Sequence, residues 1–180
     1  MEKRLILDSK LLAITIYRLV EELIENHGDF HDTVLIGMQP RGIFLADRIH
    51  QRLEERLKTK IALGYLDTTF YRDDFRRREN PLEANATKIP FLIEDKKVIL
   101  IDDVLFTGRT VRAALDAMIA FGRPRLVELL IFVDRKYTRD LPIQPDYVGK
   151  RVNTLKSERV LVEWTDNGSE EDKIWLVTKD

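Results

Sequence analysis

Residues 98–110, VILIDDVLFTGRT, constrain the fold more than any other part of the chain. An unbroken run of apolar β-formers leads into two adjacent carboxylates, then into a Thr-Gly-Arg-Thr turn that opens the helical run VRAALDAMIAF. A β-branched run with no polar face belongs in a parallel sheet covered on both sides. Asp102 and Asp103 then fall at the carboxyl edge of that sheet, where open α/β folds bind ligands. Thr107, Gly108, Arg109 and Thr110 bring hydroxyls, a cation and free backbone N–H groups to a helix N-terminus, where orphan donors and the helix dipole favour an anion. The carboxylates cannot also hold phosphate, but they accept hydrogen bonds from sugar hydroxyls. The pair and the turn together therefore describe a ribose 5-phosphate.

The chain has 180 residues, enough for one domain (1–180) with a real core and no covalent staples. It has no cysteine, which excludes a disulfide framework and a thiolate metal site and points to a reducing cytoplasm. No apolar run is long enough for a secretory leader or a membrane span, so no membrane partner is expected. Thirty basic and thirty-one acidic side chains leave a formal charge of −1, so any RNA site has to be a local patch.

Asp8 and Ser9 are good N-caps, and Leu12, Ile16, Leu19, Leu23 and Ile24 follow helical spacing up to Gly28. Residues 33–36 (TVLI) read as a core strand, followed by Gly37-Met38-Gln39-Pro40-Arg41-Gly42 and a helix to about residue 57. Alone, that loop is an ordinary strand-to-helix turn, although two glycines around a proline and an arginine also suit an anion. Residues 61–66 suggest another strand. Residues 67–88 form a long polar stretch whose centre, about 69–88, reads as a flexible lid or as a charged surface hairpin. A strand over 126–133 ends in Asp134-Arg135-Lys136, again at a carboxyl edge, and 146–150 read as a short strand. Residues 159–164 and 173–177 form an antiparallel pair through Asp166-Asn167-Gly168-Ser169, whose Asn-Gly signals a turn. No metal-ligand spacing occurs, and His27, His31 and His50 are scattered.

The 98–110 stretch resembles the phosphoribosyl-diphosphate motif of the type I phosphoribosyltransferases. The stretches at Gly37, at Tyr71-Arg72-Asp73-Asp74 and at Asp134 extend the resemblance over nearly the whole chain, most closely to the branch of pyrimidine operon attenuation regulators with uracil phosphoribosyltransferase activity. The resemblance implies a Rossmann-like α/β fold, with a mostly parallel central sheet flanked by helices and a small C-terminal hood at about 150–180. It implies uracil and 5-phosphoribosyl 1-diphosphate as substrates, Mg²⁺ carried by substrate oxygens and water without a side-chain cage, and a homodimer or higher homo-oligomer. Asp102 and Asp103 would orient the ribose, and residues 104–110 (Val104, Leu105, Phe106, Thr107, Gly108, Arg109, Thr110) would hold the 5-phosphate. Pro40 and Arg41, with Arg72 closing from the polar stretch, would hold the diphosphate. Asp134 and Arg135 would serve either the nucleobase end or a structural ion pair, and backbone groups near Val160 would read the pyrimidine edge.

Two departures stand out. Gln39-Pro40 occupies positions where related regulators more often have a basic residue and a threonine, leaving the loop a cation short. Phe106 stands where relatives that use hypoxanthine or guanine have an aspartate for the purine ring proton, which disfavours those bases; relatives that use adenine or orotate lack that aspartate too. Leader messenger RNA is the alternative partner. Arg18, Arg151, Lys156 and Arg159 favour it, whereas Glu21, Glu22 and Glu25, with Gln144 and Pro145 at positions where relatives are more basic, oppose it.

Overall fold

Apolar runs that have no polar face pair with one another, and here they form a parallel sheet with helices on both sides. In the computed structural model, which describes residues 2–73 and 84–178, the chain begins with β1 (Glu2–Leu7), α1 (Ser9–His27), β2 (Thr33–Met38), α2 (Gly42–Leu57) and β3 (Leu63–Leu66). After a 3₁₀ turn at Thr69–Tyr71 it continues through β4 (Lys97–Leu105), α3 (Arg109–Met118), β5 (Leu126–Lys136), β6 (Tyr147–Asn153), β7 (Glu158–Glu163) and β8 (Lys173–Thr178). The main sheet has the order β3-β2-β4-β5-β6 with every neighbouring pair parallel. This is the α/β architecture expected from the sequence. The expected lid falls partly on residues 74–83, which lie outside the described residues.

Each helix is held by its apolar stripe, and α1 is also capped by a side chain. The Asp8 carboxylate accepts the Leu11 N–H at 2.8 Å and caps α1, which buries Leu12, Ile16, Leu19 and Leu23. Those residues join Leu45 and Ile49 of α2 over one sheet face, in a core that also takes in Phe132 and Trp164. The other face is covered by α3 through Val111, Ala114, Ala117 and Met118. Among the described residues no helix is long and apolar enough to cross a membrane.

The second sheet has three antiparallel strands in the order β1-β8-β7. The expected hairpin is β7 and β8, but it acquires a third strand from the other end of the chain, β1, which sequence reading did not find. The motif strand is also longer than 98–101. It runs through both carboxylates to Leu105, which pairs with Asp134 at the end of β5.

Candidate active site

The turn after β4 forms a cradle. Gly108 caps α3 with φ 92°, a left-handed conformation that side chains resist, and a Cβ added there would stand 3.0 Å from Cγ1 of Ile143. The Thr107 carbonyl accepts the N–H groups of Asp140 at 3.0 Å and Leu141 at 3.1 Å, which fixes the loop after β5 against the turn. The open cavity beside it, about 340 Å³, is lined by Asp102, residues 104–111 and Arg72. Backbone donors at the start of a ten-residue helix, with hydroxyls at Thr107 and Thr110, suit a phosphate.

Arg41 and the two carboxylates meet because α2 starts against the end of β4. A Cβ on Gly42 would lie 2.5 Å from the Ile101 carbonyl and 3.0 Å from Oδ1 of Asp102, so only glycine permits the approach. Oδ1 of Asp102 accepts the Asp103 N–H at 2.8 Å. Burial, reinforced by the charge of Asp103, raises the Asp102 carboxyl well above its ordinary value of 3.8. Asp103 is buried, and Nε of Arg41 donates to its Oδ2 at 3.0 Å. The other arm of Arg41 donates to the Val162 carbonyl of the hood. Pro40, exposed beside it, follows a cis peptide bond.

Arg72 reaches the cradle, its guanidinium 3.4 Å from Oγ1 of Thr110. Arg109, from the motif itself, forms ion pairs with Asp73 and, at 3.3 Å, with Asp140. It thereby ties the segment after the 3₁₀ turn to the start of α3. Among the described residues no group of three or more His, Cys, Asp and Glu converges on a point. Asp102 and Asp103 carry hard oxygens of the type Mg²⁺ takes, and one oxygen of each is already engaged, by the Asp103 N–H and by Arg41.

At the other end of the site, Asp134 is buried and paired with Arg139, with Arg151 at 3.8 Å. Arg135, 6% exposed, donates to Oγ1 of Thr154 at 3.0 Å and to the carbonyls of Leu155 at 3.1 Å and Glu158 at 2.8 Å. Its guanidinium also lies 3.9 Å from the centroid of the Phe106 ring. The Val160 side chain packs in the core, so what it can offer a ligand is backbone. β7 is an edge strand whose Glu158 and Val162 carbonyls turn outward to arginines. By the alternation of an antiparallel strand, the N–H and C=O of Val160 face the same way, midway between them.

The structure thus brings Asp102, Asp103 and Arg41 together, sets Arg72 with Thr107–Thr110 at the cradle, and joins Phe106 to Arg135. Sequence reading missed the Val162 carbonyl, Thr154 and Arg139. The first is a backbone group and the others carry no motif. Of the cations considered for RNA, Arg18 donates to the Val148 and Gly149 carbonyls at 2.9 and 2.8 Å and lies 3.5 Å from Glu22.

A parallel sheet whose carboxyl edge combines a carboxylate pair with a helix N-terminus suits a phosphorylated sugar. The phosphoribosyl transferase domain model matches residues 4–166. The chain is 44% identical over 163 residues to the bifunctional protein PyrR of Enterococcus faecalis (91% of this chain, 90% of that one) and 42% identical over 165 residues to that of Bacillus subtilis (90% of each). Among solved structures, the HGPRT-ase from Leishmania tarentolae in complex with GMP superposes with a TM-score of 0.74 over 98% of this chain and 97% of that one, at 11% identity, a likeness of fold alone. The chain belongs to the phosphoribosyl transferase domain family and, within it, to the family of the bifunctional PyrR proteins.

Proposed function

We propose that the chain is a uracil phosphoribosyltransferase of the cytoplasm, forming UMP and diphosphate from uracil and 5-phosphoribosyl 1-diphosphate with Mg²⁺. The observation that carries this reading is a site with two chemically distinct ends that Arg41 bridges. A helix N-terminus with Thr107 and Thr110 suits the 5-phosphate, the backbone of Val160 on the sheet edge that no strand pairs suits a pyrimidine, and Arg41 spans from Asp103 to the hood. Asp102 and Asp103 accept the ribose hydroxyls, and Arg41 and Arg72 supply cations for the leaving diphosphate. As the bond from N1 of uracil to C1 of the sugar forms, the bond from C1 to the diphosphate oxygen breaks and the N1 proton is released. Mg²⁺ carried on the substrate would supply part of the charge neutralisation of the diphosphate; the chain's own share is alignment and electrostatics. Phe106 offers a ring already stacked on Arg135 and no proton-exchanging group, which disfavours a 6-oxopurine.

The experiment is a side-by-side assay of labelled uracil, hypoxanthine, adenine and orotate with 5-phosphoribosyl 1-diphosphate. The expected result is Mg²⁺-dependent UMP formation from uracil, and equal or faster use of hypoxanthine overturns it. A second reading, a UMP-sensing regulator that binds leader messenger RNA, is favoured by the bifunctional name of the relatives and by the cleft that the exposed Lys136 and Arg151 line beside Asp134. The acidic face of α1 and the internal bonding of Arg18 rank it second. Nanomolar, UMP-enhanced binding of leader RNA at physiological salt reverses the order.

A further inference from the structure

Arg135 is an expensive residue to bury. A cation inside a protein normally has a carboxylate partner, because transfer out of water costs several kcal/mol. Here the guanidinium, 6% exposed, is satisfied by one hydroxyl, two carbonyls and the face of a ring. Burial accordingly draws it below the usual arginine range, against the opposing influence of Glu158. An uncharged side chain of similar volume would fill the space at less cost, so the donors themselves are what the position requires.

Those donors converge on one turn. The Glu158 N–H donates to the Leu155 carbonyl at 3.1 Å, and the Glu158 carboxylate accepts the Leu155 N–H at 2.6 Å, so residues 155–158 close on themselves. Arg135 then takes the carbonyls at both ends of that turn, where β7 begins. Further along the same edge Arg41 takes the Val162 carbonyl. The stretch with Val160 at its centre therefore hangs from two arginines. Both lead back to the motif, Arg41 through Asp103 and Arg135 through the Phe106 ring.

We propose that Arg135 is a positioning residue for base recognition: it sets the distance between the β7 edge and the sugar end of the site without touching the base. This rests on the reading of that edge as the base reader. A displacement of about an ångström at such an edge is enough to cost an order of magnitude or more.

The test pairs steady-state kinetics with amide hydrogen exchange on the full chain. In Arg135→Met the KM for uracil is expected to rise at least about tenfold, with kcat and the KM for 5-phosphoribosyl 1-diphosphate within about twofold. In the ligand-free variant the Leu155 and Glu158 amides are expected to exchange faster, while β1 and β8 keep their protection. Arg135→Lys, whose ammonium is a point donor without the fork, should fall between. Should Arg135→Met fail to fold, Thr154→Val removes the acceptor of the Arg135 Nε and keeps its two carbonyl bonds, and a rise of about threefold in KM confined to uracil supports the proposal. A raised KM for uracil with unchanged exchange means direct contact with the base and overturns it. Faster exchange across the whole hood with an unchanged KM means a fold role only and also overturns it. A wild type that forms no UMP overturns the proposed function, whereas an active wild type whose Arg135→Met variant keeps its KM overturns only the role of Arg135.

Discussion

The two ends of the site are built in opposite ways. The cradle comes from one contiguous stretch: strand, turn and helix follow one another in the chain, and the donors are backbone groups fixed by the start of α3. The hood edge comes from strands at both ends of the chain, β1 with β7 and β8, and is held to the rest by arginines from elsewhere, Arg41, Arg48 and Arg135. A phosphate is the same in every substrate of this kind, and a local, rigid structure serves it. The group that distinguishes one substrate from another faces a surface suspended from long side chains, where single substitutions shift the geometry without dismantling the fold.

The largest effect is expected where the two ends share a residue. Asp103→Asn keeps the shape but gives up the charge that Arg41 and the sugar hydroxyls meet, so kcat/KM for both substrates should fall about 100-fold or more, or roughly 2.7 kcal/mol. An unchanged circular dichroism spectrum would confirm that the fold survives, and near-normal turnover would remove the pair from the mechanism. Gly108→Ala should injure the cradle alone. The left-handed φ of 92° and the 3.0 Å approach to Ile143 make any side chain strained there. The expected result is a rise of about tenfold in KM for 5-phosphoribosyl 1-diphosphate, with the KM for uracil little changed.

Arg48→Met is the counterpart at the hood. Arg48 meets Asp172 through Nε at 3.1 Å and a terminal nitrogen at 3.0 Å, donates to Oγ1 of Thr165 at 3.1 Å, and lies 4.6 Å from the Trp164 ring centroid. Loosening this far anchor should raise the KM for uracil about threefold and leave the sugar donor's KM alone. If Gly108→Ala and Arg48→Met each raise both KM values equally, the division between the two ends is wrong.

The smallest expected effect concerns Asp102 and is one of stability. Its pKa is raised in the folded state, so its ionisation opposes folding: above the ordinary value of 3.8 the unfolded chain releases the proton more readily, and stability falls as pH rises toward the folded value. Asp102→Asn should therefore raise Tm by about 2–4 °C near neutral pH, roughly 1 kcal/mol for a chain of this size, even as activity falls. The gain should vanish below pH 3.8, and scanning calorimetry against pH checks it. An equal gain at every pH would mean that the charge is not its source.

The same division explains what the sequence disclosed. Asp102, Asp103, Gly108 and Thr110 were legible because strand, turn and helix signals sit side by side. Asp8 and Gly28 marked the ends of α1 for the same reason, and Asn167-Gly168 marked a hairpin. β1 was not legible, because EKRLIL buries only Leu7 fully and becomes a strand by pairing with β8 from the far end of the chain. The extension of β4 through its carboxylates was hidden too, since acidic residues are poor strand formers and the ladder with β5 supplies the order. Arg135 stands out in the sequence only by its place after a strand, since its partners are carbonyls, a hydroxyl and a ring, which leave no pattern in sequence. The motif around Arg72 marks a cation for the diphosphate, and only the fold brings it to Thr110.

The most direct measurement is a titration of the ¹⁵N-labelled protein with UMP, following each backbone amide. The account predicts saturable shifts at Thr107–Thr110 and at Val160 with one common affinity, while phosphate or ribose 5-phosphate alone moves only the first group. Shifts confined to the cradle with UMP bound, or strongest in the cavity between Ser9 and Arg48, would contradict it.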